Sequence, residues 1–152
     1  MQMSLLAVAF VALVASGIAA RRRRRFCRVG AAFRCRLRIC GLTCTTWRLL
    51  TRRWSRPMWA TWVGDVLVVR RGPVFDREIE LRATVTSAGV YALAPNDARW
   101  CGHHPVAVGL TVSDGSCVEV ATDGEARMAL VGPFLAAAIN DLPQAPARRR
   151  QS

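Results

Sequence analysis

The first 25 residues divide into two parts of opposite character, and that division constrains everything after them. Met1 to Ala20 carry no charged side chain, and Arg21-Arg22-Arg23-Arg24-Arg25 follow without a spacer. Twenty residues wound as an α-helix rise about 30 Å, the thickness of a bilayer's hydrocarbon core. A secretory signal places positive charge before its apolar run and small uncharged residues after it. Here the order is inverted, although Ile18-Ala19-Ala20 loosely resembles a cleavage site. The reading is therefore an uncleaved transmembrane helix over 1–20 and a basic juxtamembrane collar over 21–31. Arginine in excess after the span places the amino terminus outside and the main domain in the cytoplasm, in a single-pass protein of the cell membrane.

The collar belongs to a wider imbalance. The chain has 22 arginines, no lysine and 10 acidic residues, for a net charge of +12. Residues 21–56 hold 13 of the arginines and no acid, whereas 57–152 hold the other 9 and all 10 acids. A nearly neutral domain thus stands behind a basic segment, which excludes a uniformly basic nucleic-acid binder. As a stop-transfer signal the collar needs no partner. Attraction to anionic headgroups adds about 1 kcal/mol per basic residue near a surface. With 52% hydrophobic residues the remainder is a folded domain and not a disordered chain.

Period-two alternation dominates that remainder. Phe33, Cys35, Leu37 and Ile39 point one way and Arg34, Arg36 and Arg38 the other, a half-buried strand with three guanidiniums on its open face. Further strands are expected over 58–63, 66–71, 78–85, 90–94, 106–112, 117–121 and 126–130, with another over 43–51 less readable. Asp114-Gly115 and Asp123-Gly124 are hairpin turns, and Ser87-Ala88-Gly89 separates two strands. Gly132-Pro133 stops the sheet and opens a helix from Phe134 to Asp141. The expected fold is mainly β: a small antiparallel β-barrel or sandwich over 32–142, about seven or eight strands with a carboxy-terminal helix in the pleckstrin-homology-like order. A disordered basic tail over 143–152 follows.

The same ordering resembles an actinobacterial family of short single-span proteins known only as domain of unknown function 2550. The likeness rests on the leading span with its arginine collar and on Phe33-Arg34-Cys35-Arg36-Leu37-Arg38. It continues through Trp59-Ala60-Thr61-Trp62-Val63-Gly64-Asp65-Val66-Leu67, Arg70-Arg71, Cys117-Val118-Glu119-Val120-Ala121 and Gly132-Pro133-Phe134-Leu135. Between Ile39 and Pro57 this chain is longer and richer in Arg and Cys than the family pattern. The resemblance implies membrane anchoring and architecture and supplies no chemistry.

Six cysteines and two histidines are the remaining chemical candidates. Cys40-x₃-Cys44 has zinc-pair spacing, and Cys101, His103 and His104 are all that could complete it. Single cysteines on apolar faces behave as small hydrophobes, so no metal or other cofactor is expected. No nucleophile elbow, phosphate loop or nucleophile–base set appears, and the protein reads as a non-enzyme. Trp54 and Trp59 suit a bilayer interface and Trp47 and Trp62 a core. Contact residues for anionic lipid or a protein partner are expected among Arg34, Arg36, Arg38, Arg52, Arg53 and Arg56, with Arg21 to Arg25 fixing topology and meeting headgroups. The function expected is binding of a partner or anionic lipid at the inner leaflet by a membrane-anchored cytoplasmic domain. The competing expectation is an exported, disulfide-bonded protein after signal cleavage.

Overall fold

The computed structural model describes residues 2–41, 43–72, 74–94, 97 and 101–140. Helix α1 (Gln2–Val29) leads into strands β1 (Phe33–Ile39), β2 (Met58–Val63), β3 (Val66–Arg71), β4 (Arg77–Ala92), β5 (Pro105–Val112) and β6 (Cys117–Asp123). A single 3-10 turn over Gly124–Ala126 then opens helix α2 (Arg127–Asn140). Every strand is antiparallel to the next in sequence, and β6 returns to β1, so the sheet closes into a barrel.

β1 makes the closure. Its residues Cys35 to Ile39 pair with β6, and Phe33 to Cys35 pair with β2. Where β2 stops short, the loop before it takes over. The Ile39 N–H donates to the Thr51 carbonyl (3.0 Å) and the Ser55 N–H to the Leu37 carbonyl (2.9 Å). The Leu37 N–H in turn donates to Ser55 Oγ (3.0 Å). The seam therefore leaves no open edge along β1.

The alternation in β1 is as its sequence suggests: Phe33, Cys35, Leu37 and Ile39 are buried, Arg34 is exposed, and Arg36 and Arg38 are half-buried. They meet Leu67, Val69, Leu81, Leu110 and Val120 from the other strands inside the barrel. Two elements plug it. Loop 43–50 contributes Cys44, Trp47 and Leu50, and α2 contributes Leu130 and Val131. The Trp62 indole N–H donates to the Leu130 carbonyl (2.9 Å), and its ring meets Phe134 edge-on at 5.0 Å.

Smaller apolar clusters lie outside the barrel wall. Phe26 of α1 packs with Val68 and Phe75 over β2 and β3, with Trp59 alongside. Leu93, Cys101, Ala107 and Ala121 form another beneath Trp54 and Tyr91. Trp54 and Trp59 are thus half-buried in protein clusters, while Trp47 is buried in the core and Trp62 half-buried against it.

Several expectations need correction. Residues 43–51 form no strand; they turn at Thr46–Leu49, and the backbone pairing comes from Thr51 and Ser55 instead. The strands expected at 78–85 and 90–94 are one strand, β4, whose register shifts between Val85 and Val90. Gly89 sits there at φ 63°, the left-handed region a bulge uses. Asp123-Gly124 is no hairpin turn. Asp123 accepts from the Glu125 N–H (3.4 Å) and caps a helical segment, so 126–130 is helical and Gly132-Pro133 lie inside α2. Aspartate serves a turn and an N-cap by the same side-chain acceptor, which is why the two readings compete. The barrel has six strands, or seven straight segments if the arms of β4 are counted apart. The expected tail over 143–152 and Trp100 lie outside the described residues.

The amino-terminal boundary differs as well. α1 runs unbroken through Arg21–Arg25 to Val29, so span and collar are one helix. Among the described residues no helix is long and apolar enough to cross a membrane.

Candidate anion-binding site

The six arginines expected to make contacts part into two sets. Arg38 pairs with Glu119 across the β1–β6 ladder, and its guanidinium carbon lies 4.3 Å from the Trp54 ring centroid. Burial works to raise the Glu119 carboxyl. Hydrogen bonds from Arg38 and Tyr91, with the Arg38 charge, outweigh it and hold Glu119 below the usual carboxylate range. Burial likewise works to lower Arg38, but Glu119 raises it. The Arg52 Nε–H donates to the Gly41 carbonyl (3.3 Å). Arg36 lines a small hollow of about 120 Å³ with Arg34, Cys101 and Asp123. Arg38 and Arg52 thus serve the fold, whereas Arg36 Nε is a buried donor with no acceptor among the described residues.

Arg53 and Arg56 face a different region, which Arg34 borders while also lining the Arg36 hollow. A cavity of about 620 Å³ lies between the 49–57 loop, Met58 at the start of β2 and the β3–β4 turn. Its charged lining residues are Arg53, Arg56, Arg71 and Arg77, with no acid among them. Trp47, Leu50, Pro57 and Met58 give it an apolar floor. A hollow of about 270 Å³ shares Pro57, Met58, Arg71 and Gly72 with it and adds Arg23, Arg34 and Arg70. The arginines of loop, barrel and helix collar therefore share one continuous face.

Local structure fixes the members of this face. Arg53 and Arg56 sit on the segment that Thr51 and Ser55 pin to β1. Arg71 and Arg77 are register partners at the ends of β3 and β4. The turn between them bends through Gly72 at φ 102° and Phe75 at φ 58°. At the Gly72 φ an L side chain is strained, and a Cβ there would also displace the Asp76 carboxylate, 2.6 Å away. Phe75 adopts a conformation disfavoured for a bulky residue, and its buried ring is held edge-on to Phe26 of α1 at 5.5 Å. The Arg71 guanidinium carbon stands 5.1 Å from the Trp47 ring centroid. Arg71 Nε and the Trp47 indole N–H are buried donors with no acceptor among the described residues.

Charge separates this face from its larger neighbour. A groove of about 750 Å³ between α1 and strands β2–β4 is lined by Arg22, Arg25 and Arg70, but equally by Asp76, Glu78 and Glu80. Arg70 is paired with Glu78 there. That groove carries both signs in equal number, whereas the described charged residues of the arginine cavity are all positive.

Sequence reasoning missed Arg71, Arg77 and Trp47 as members. The signal was present: a hairpin centred on Val74 places residue 70 opposite 78 and 71 opposite 77, and so sets an Arg–Glu pair beside an Arg–Arg pair. Cys44 and Cys101 are buried in separate clusters, and His103 and His104 are exposed. Among the described residues no three His, Cys, Asp or Glu side chains converge on a metal-sized space. No protein-family model matches the chain, and no curated protein or solved structure matches it either, so the family resemblance rests on the motifs quoted for it.

Proposed function

We propose that this chain is a non-enzymatic, membrane-tethered domain that binds anionic lipid or an acidic partner at the membrane surface. One observation carries the reading. α1 exposes Leu6, Val8, Phe10, Val11, Leu13, Val14 and Ile18, and at about 100° per residue these cover most of its circumference. A helix apolar nearly all round needs an apolar surrounding, and the barrel does not supply it. The uncharged run from Met1 to Ala20 in the sequence, wound as a helix, would rise about 30 Å, the thickness of a hydrocarbon core. Arg21–Arg25 then lie at headgroup level, and Phe26, about 9 Å beyond Ala20, holds the barrel against the same helix. The arginine face is thereby kept close to the leaflet. The resemblance to the single-span family points the same way, and the arginine excess orients the barrel to the cytoplasm.

The exported alternative has one observation in its favour. Ile39 opposite Val118 brings Cys40 beside Cys117 across the seam, and the Cys40 N–H donates to the Cys117 carbonyl (2.9 Å). All six cysteines are free. Partial burial, hydrogen bonding with Cys117 and the Glu119 charge push the Cys40 thiol up to about 12. Such a thiol forms a disulfide slowly unless an oxidising compartment drives the reaction.

Carboxy-terminal reporters, one active only in the cytoplasm and one only after export, decide between the two. The expected result is cytoplasmic signal in carbonate-resistant membranes, with Cys40 and Cys117 both alkylated by a thiol reagent after denaturation. Exported signal with a Cys40–Cys117 crosslink overturns the proposal in favour of the alternative.

A further inference from the structure

The cavity beneath the 49–57 loop has a composition more selective than surface attraction requires. Among the described residues its walls hold four arginines and no acid, and Arg71 and Arg77 are directly opposite each other in the β3–β4 register. Like charges in that relation destabilise a sheet. Neither has a carboxylate partner among the described residues, whereas their neighbours Arg70 and Glu78, one position along the same ladder, do pair. The ladder thus neutralises one rung and leaves the next doubly positive at the rim of a concave space.

The geometry points to a phosphate monoester as the group that completes this site, a reading that deepens the membrane proposal by naming the anion its arginine face selects. A monoester carries close to two negative charges at neutral pH and three terminal oxygens, enough to accept from Arg71 and Arg77 together with Arg53 or Arg56. A phosphodiester offers one charge and two such oxygens. The floor of Trp47, Leu50 and Met58 accommodates an apolar or ring-bearing body attached to the phosphate. The volume of about 620 Å³ exceeds what bare phosphate fills, and lies in the range of small-molecule sites. The same chemistry is available from a lipid headgroup bearing a terminal phosphate and from a soluble phosphorylated metabolite. Arg23 and Arg34, in the adjoining hollow, continue the positive surface toward α1 and its collar.

The test uses the full chain in a neutral detergent, so that it does not depend on the membrane topology. Thermal unfolding is followed against phenyl phosphate, against diphenyl phosphate as the diester, and against micelles doped with phosphatidic acid or, at equal total charge, phosphatidylglycerol. Expected is a saturable rise of several degrees with the monoester probes, at concentrations at least tenfold lower than with the diester probes. A lipid source appears as response to phosphatidic acid without phenyl phosphate, a soluble source as response to phenyl phosphate alone or to both. Arg77→Gln and Arg77→Glu should raise the unfolding temperature of the unliganded chain by removing one of two like charges at a shared register position, yet remove at least nine-tenths of the monoester response. Arg82→Gln, on the exposed face of β4, should leave that response unchanged.

Equal response to monoester and diester at equal charge overturns the inference, as does an Arg77 variant that binds like the parent. Both outcomes leave the tethering proposal standing, since that fails only in the reporter and extraction experiment.

Discussion

Asp114, at the tip of the β5–β6 hairpin, accepts hydrogen bonds from a loop almost seventy residues upstream. Thr45 Oγ1 (2.6 Å), the Thr46 N–H (2.9 Å) and Thr46 Oγ1 (3.0 Å) all donate to Oδ2, and the Ser116 N–H (2.9 Å) and hydroxyl donate to Oδ1. These donors, Ser116 and Thr45 foremost, hold the carboxyl well below its ordinary 3.8. The folded pKa lies below the unfolded one, so the stabilisation is complete above about pH 5 and is lost as the pH falls through and below 3.8. Asp114→Asn should cost about 1 kcal/mol at neutral pH, modest because the site is exposed and screened. It should also flatten the acid limb of a stability-versus-pH curve measured by urea unfolding. Nothing in the Asp114-Gly115 dipeptide foretells this role, since turn chemistry alone accounts for aspartate there. The arginines of β1 teach a related lesson. Alternation places all three outside, but only the partner strands decide that Arg38 meets Glu119 while Arg34 stands between the arginine face and the hollow that holds Asp123.

Helix α1 and the β3–β4 turn stabilise each other through two rings. Phe26 is 7% exposed and Phe75 4%, and the Arg70 guanidinium carbon lies 5.2 Å from the Phe26 ring centroid. Phe75 pays about 1–2 kcal/mol for its left-handed backbone, and burial against Phe26 offsets it. Phe26→Ala should therefore destabilise the protein by about 3 kcal/mol. It should also free the segment after α1, read as new protease cleavage between Arg28 and Ala32. Cleavage no faster than in the parent would mean that the helix is held elsewhere. Strands with clean alternation and two-residue turns were readable from the chain: β1, β2, β3, β5 and β6 begin and end within about two residues of the expected positions. Elements whose signals serve two structures were not. Asp123-Gly124 fits both a hairpin and a helix cap, and Gly89 fits both a turn and a bulge inside one strand. Residues 43–56 carry no period at all, because they cover a barrel end and borrow β1 for their hydrogen bonds.

Over the whole molecule, charge is sorted more finely than the +12 total or its amino-terminal weighting conveys. Of the collar's arginines, Arg22 and Arg25 line a groove that also holds three acids, and Arg23 lines a hollow whose described lining holds none. On the proposed reading, the unopposed set draws anions to the barrel and the collar helix holds that set at the bilayer surface. Full chain reconstituted into vesicles should accordingly gather anionic lipid, measured as tryptophan energy transfer to dansyl-labelled phosphatidylserine relative to dansyl-labelled phosphatidylcholine. Substituting glutamine at Arg34, Arg53 and Arg56 should remove most of that enrichment, whereas the same change at Arg36, Arg38 and Arg52 should remove little, although both triple variants lose three charges. The second variant should instead lose stability, because Arg38 leaves Glu119 half-buried and without its cation. Raising the salt from 50 to 500 mM should shrink the enrichment of the parent and of the second variant alike, since exposed charges are screened beyond about 4 Å at the higher strength. Two variants with equal enrichment would mean that the leaflet responds to net charge alone, and that the arginine face has no privileged place in how the barrel meets the membrane.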